Sequence, residues 1–138
     1  MFTVSPVVPH FECHEETASS GTHVLDVRGE IHLSTAPRFA QCLQEMLDRG
    51  NTRIVLDLSG VEFIDSTGLS VLLTGLRRVT QLQGRMAIVC ANPTVLRLFQ
   101  ITRLDETFDI FRERSAAFAH VAGPPSDQPA GGSSGGAP

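Results

Sequence analysis

Asp65-Ser66-Thr67-Gly68 is the cluster in this sequence best suited to chemistry. It follows an apolar strand and a loop, and it opens an amphipathic helix. A serine there lies in the first helical turn. Backbone N–H groups in that turn lack helical partners, and the helix dipole favours negative charge. Asp65 is expected to cap the helix by accepting from the N–H of Thr67 or Gly68. A phosphate on Ser66 would add roughly −1.5 to −2 charges. The dipole would stabilise that group by about 0.3–1 kcal/mol, so the fold should survive modification. A protein docked over Ser66 would instead meet new charge and bulk. Gly68 is part of the same reading: glycine inside a helix costs up to ~1 kcal/mol relative to alanine. Close approach by another backbone, from a partner or a kinase, is the expected compensation.

Other groupings carry less. His10, Glu12 and His14 share one face of a first strand, but nothing completes a four-ligand set, so they read as a solvated face and no metal is expected. Asp57 ends a buried strand, as a phosphoaspartate would. That chemistry needs a lysine, and all 11 basic residues are arginines. A capping or loop hydrogen bond is expected of Asp57. Ser66 lacks the G-x-S-x-G setting of a hydrolase nucleophile and has no histidine near it in sequence. The reading is therefore a chain without catalytic residues or cofactors.

The 138 residues suffice for one domain with a real core, and 41% are hydrophobic. A formal net charge of −4, with Arg77-Arg78 the only adjacent basic pair, argues against nucleic acid or an anionic membrane as partner. Cys13, Cys42 and Cys90 are odd in number and widely spaced, which suggests free thiols in a reducing compartment. No apolar run is long enough to cross a bilayer, and Met1-Phe2-Thr3-Val4 does not begin a signal peptide. A cytoplasmic location is expected.

These residues must be placed by elements that the sequence also suggests. Residues 10–16 and 22–29 read as an antiparallel hairpin about a turn at 17–21. Ser34 is the expected cap of a helix with Ala36, Phe39, Ala40, Leu43, Met46 and Leu47 at helical spacing, stopped by Gly50. Residues 53–58 form a buried strand. The Ser66 helix follows with Leu69, Leu72, Leu73, Leu76 and Val79 on one stripe, ended by Gly84. A strand at 85–90 leads to Asn92-Pro93, a cap and first-turn proline for a short helix through Phe99. Residues 108–110 suggest a last strand, and a terminal helix starts near Phe111. This β-β-α-β-α-β-α-β-α order implies an α/β domain with a mixed, mostly parallel sheet and helices packed on it. The domain is expected over residues 10–120, after a loose segment at 1–9. A Gly/Pro/Ser-rich tail at 121–138 is expected to be disordered.

The stretch from Ile54 to Leu69, running through Asp57-Leu58-Ser59-Gly60 and Asp65-Ser66-Thr67-Gly68, resembles the signature of STAS domains, most closely the bacterial anti-sigma factor antagonists. Val27-Arg28-Gly29-Glu30-Ile31, the region near Ser34, and Ile88-Val89-Cys90-Ala91-Asn92-Pro93 extend the resemblance over about residues 10–112. The resemblance implies a partner switch. The serine matching Ser66 is phosphorylated by a partner that is both anti-sigma factor and ATP-dependent serine kinase. The unmodified antagonist binds that partner and displaces the sigma factor. A metal-dependent serine phosphatase reverses the modification. Glu30, His32, Asp65, Ser66, Thr67 and Gly68 are then the expected partner-binding residues. His32 stands where many antagonists carry Asp, and it is expected to tune partner choice. The STAS subunit of a stressosome-like or lipid-transport assembly shares the resemblance. A simple antagonist should run as a monomer or dimer.

Overall fold

The computed structural model describes residues 10–18 and 21–123. The expected lead-in at 1–9, part of the first turn, and residues 124–138 of the tail expected at 121–138 lie outside them, whereas Val121 ends a helix and is buried. Five strands form one sheet in the order β1-β2-β3-β4-β5. β1 (Phe11–Thr17) pairs antiparallel with β2 (His23–Ile31), and β3 (Arg53–Ile64), β4 (Arg85–Val89) and β5 (Ile110–Phe111) continue in parallel. The helices are α1 (Ala36–Asp48), α2 (Ser66–Gln81), α3 (Pro93–Ile101) and α4 (Arg114–Val121). The sequence order and the mixed, mostly parallel sheet agree with expectation.

Alternation along the strands sorts the side chains onto two faces. Leu25, Val27, Ile54, Leu56, Leu58 and Ile88 join Phe39, Leu43 and Met46 of α1, Leu69, Leu72 and Val79 of α2, and Val95 and Phe99 of α3 in the main core. Val24, Val55, Ala87 and Val89 instead meet Ala117 and Val121 of α4 in a smaller cluster. Charge closes the open end of that second face. Asp26 and Asp57 are register partners on β2 and β3, and both are buried. Arg114, at the first turn of α4, donates to Asp57 at 2.5 Å, to Asp26 at 3.4 Å and to Glu16 of β1 at 3.1 Å. One guanidinium thus pins three strands. Asp57 Oδ1 also accepts from the Ser59 N–H at 2.9 Å, the loop bond expected of it.

Three expectations are corrected here. β3 does not end at residue 58. It bulges where Asp26 and Arg28 pair with Asp57 and Gly60, then continues to Ile64. A Cβ at Gly60 would lie 2.7 Å from Arg28 Cγ, so glycine there leaves the Arg28 side chain room to lie across β3. The last strand is Ile110–Phe111, because Phe108 turns into the core and meets Phe99 edge-on, ring centroids 5.9 Å apart. Finally, Cys13 and Cys42 are joined as a disulfide between β1 and α1, and Cys90 alone is a free thiol among the described residues. Their 29-residue separation hid a proximity that only the packing of a helix on a strand creates.

Candidate functional site at the mouth of α2

Parallel strands β2 and β3 end side by side, and the Asp65 N–H donates to the Ile31 carbonyl at 3.0 Å. The chain then turns straight into α2. Asp65 is its N-cap, with extended backbone, and its Oδ1 accepts from Thr67 N–H at 2.9 Å and Gly68 N–H at 3.1 Å. The Leu33 N–H and the Thr67 hydroxyl also favour the charged form of this carboxylate. Partial burial pushes the Asp65 carboxyl up, but these hydrogen bonds outweigh it and hold the group below its ordinary 3.8. Asp65 therefore stays ionised and ties the β2–α1 loop to the helix start.

Ser66 is exposed at this mouth. Thr67 beside it is half-buried, so Ser66 is the more accessible hydroxyl of the pair. The picture of free N–H groups awaiting a phosphate needs correcting, because Asp65 already occupies those of Thr67 and Gly68. A phosphate on Ser66 would stand at an exposed position beside an ionised carboxylate. Gly68 also has a different reason from the one expected. It is buried, and a Cβ there would come within 2.6 Å of Ile31 Cγ2 and 2.7 Å of Ile64 Cγ1. The close approach that it permits is internal: α2 seats on the ends of β2 and β3.

The β2–α1 loop forms the other wall. The expected Ser34 cap is not used. α1 starts at Ala36 after Thr35, whose buried hydroxyl donates to the Glu30 carbonyl at 2.7 Å and accepts from the His32 N–H at 3.0 Å. Thr35 thereby holds the loop rather than the helix. His32 Nδ1 accepts from the Ser34 N–H at 3.2 Å, which leaves Nε2 to carry the proton and face Glu30 Oε1 at 3.4 Å. The imidazole lies 6.2 Å from the Phe63 ring, centroid to centroid. Glu30, His32, Asp65, Ser66 and Thr67 thus gather at one end of the sheet, with Gly68 beneath. Two residues not singled out from the sequence join them: Leu33 is 74% exposed and Phe63 46%. Phe63 is legible in principle, since Val61 and Phe63 carry β3 on past residue 58.

His10, Glu12 and His14 share the outer face of β1, and Glu12 lies between the imidazoles at 3.0 and 3.4 Å. Those hydrogen bonds lower the Glu12 carboxyl below its ordinary value. Among the described residues no three His, Cys, Asp or Glu side chains are grouped so as to hold a metal ion.

The chain that carries this site has relatives among known proteins. The profile of the STAS domain family matches residues 15–117. The chain belongs to the STAS domain family. Among its relatives, the anti-sigma-F factor antagonist RsfB of Mycobacterium tuberculosis is 32% identical over 104 residues, covering 75% of this chain and 84% of RsfB. The crystal structure of an anti-sigma factor antagonist from Mycobacterium paratuberculosis superposes with a TM-score of 0.77 at 29% identity, covering 83% of this STAS chain and 96% of that one. The phosphorylated form of the Bacillus cell fate determinant SpoIIAA shares the fold, with a TM-score of 0.60 at 22% identity over 76% of this chain and 96% of its own. No helix among the described residues is long and apolar enough to cross a membrane.

Proposed function

We propose that this STAS protein is an anti-sigma factor antagonist, a binding protein and not an enzyme. Its unmodified form docks an anti-sigma factor through the mouth of α2 and the β2–α1 loop, and so releases a sigma factor. Phosphorylation of Ser66 by that partner, acting as a serine kinase, ends the interaction. A serine phosphatase restores it. The likeness to relatives named anti-sigma factor antagonists supports the first part. The exposure of Ser66 beside the ionised Asp65 supports the second, and it is the observation that carries the switch. A phosphate there has a carboxylate for a neighbour and Glu30 across the loop. Any partner that fits this acidic mouth must face a doubled negative charge after modification.

The test is a binding series with candidate anti-sigma factors from the same genome. Ser66→Ala should bind as tightly as unmodified protein and resist ATP-dependent phosphorylation. Ser66→Asp should bind at least about tenfold more weakly, a loss of roughly 1.4 kcal/mol. Equal affinity of the two variants, or phosphate incorporation at a residue other than Ser66, would reject the proposal.

A further inference from the structure

The Cys13–Cys42 pair lies outside the serine site yet is mechanically connected to it. Both side chains are half-buried, so small oxidants and reductants can reach them. Cys90 is fully buried at the end of β4, and burial pushes its thiol above the ordinary value, which leaves it inert by comparison. β1 is an edge strand, hydrogen-bonded to β2 alone in the sheet. Against α1 it is held by a short zipper. Phe11 packs on Phe39 with centroids 6.5 Å apart, and the Arg38 guanidinium lies 5.1 Å over the Phe11 ring. Cys13 meets Cys42, and Glu15 pairs with Arg49. Just ahead of β1, the His10 carbonyl accepts from the Glu30 N–H at 2.8 Å. The Glu30 carboxylate in turn faces His32 in the site. The seating of β1 on α1 therefore bears on one wall of the Ser66 mouth.

We propose that Cys13 and Cys42 are a reversible redox clasp, closed by a peroxide-class oxidant and opened by a small thiol, that sets how firmly the Glu30 wall of the site is held. On closure by hydrogen peroxide, one thiolate attacks an oxygen and breaks the O–O bond, giving a sulfenic acid, and the hydroxide that leaves takes up the proton the thiol released to become one water. The second thiolate attacks that sulfur, the S–S bond forms and a second water leaves. Two thiols and one peroxide thus become one disulfide and two waters. Opening is thiol–disulfide exchange: two glutathione thiols are oxidised to glutathione disulfide as Cys13 and Cys42 regain their protons. In a reducing compartment a bond of this kind is transient and sensing rather than a permanent brace.

The full chain tests this without any partner, so the outcome is independent of the Ser66 reading. Reduced protein is treated with hydrogen peroxide, alkylated under denaturing conditions and digested for mass spectrometry. The expected product is a linked Cys13–Cys42 peptide lighter by two hydrogens, with Cys90 alkylated. Millimolar reduced glutathione should reopen it. Hydrogen exchange at the Glu30 amide should be several-fold faster in the reduced form, and this difference should vanish in Cys13→Ser; Cys42→Ala serves if that variant misfolds. The proposal is overturned by a different linkage or none, by a bond that survives glutathione, or by equal Glu30 exchange in both redox states.

Discussion

At the scale of single residues, the mouth of α2 depends on Gly68 and Asp65. Gly68 is there because Ile31 and Ile64 leave no room for a methyl group. Gly68→Ala should therefore destabilise the fold by about 1–3 kcal/mol, although alanine is the better helix former. A denaturant titration checks this, and a stabilised variant would show that the crowding relaxes freely. Asp65 serves both the helix and the loop. Asp65→Ala should lose about 1 kcal/mol from the missing cap alone. It should also speed amide exchange at Gly68, whose N–H donates to the Asp65 carboxylate at 3.1 Å. Unchanged exchange at Gly68 would mean that the helix start holds without its cap. The sequence made the cap legible, because Asp before a helical stripe has one common use. It could not reveal the bond from the Asp65 N–H to the Ile31 carbonyl, which exists only because β2 and β3 end side by side.

At the scale of elements, α4 is fastened by charge at one end and apolar contact along its length. Arg114 bridges Glu16, Asp26 and Asp57, while Ala117 and Val121 pack on the second sheet face. Burial pushes the Asp57 carboxyl up, but hydrogen bonds from Ser59 and Arg114 outweigh it, and the group sits below its ordinary 3.8. A carboxyl with a depressed folded-state pKa contributes stability that is present above its unfolded pKa and lost as pH falls through the folded one. The wild-type protein should thus lose stability on acidification from about pH 4 downward. Arg114→Ala should cost roughly 1–3 kcal/mol at neutral pH, because it leaves the buried Asp57 carboxylate without its cation, while Asp26 keeps Arg28. It should also flatten that acid-side loss. Thermal unfolding of both proteins across the acid range measures this, and parallel curves would show that Arg114 is not the relevant partner. Nothing in the sequence joins Arg114 to Asp57. They meet because a strand and a helix 57 residues apart cover the same patch of sheet.

At the scale of the whole molecule, the described residues form a single sheet with three helices on one face and a short fourth on the other. A protein used as a simple switch should elute as a monomer or dimer in size-exclusion chromatography, and a large particle would point to a stressosome-like assembly instead. By itself, the sequence determined the order of the elements, the mixed sheet and the cap at Asp65. Each follows from local chemistry: apolar runs, helical spacing, a hairpin turn and a capping residue before a helix. The tertiary structure decided where β3 ends, why Gly68 is glycine, which cation Asp57 meets, and that Cys13 lies against Cys42. Those outcomes depend on distances between residues remote in the chain. Such distances arise when strands choose neighbours and helices choose faces, and no local pattern encodes them.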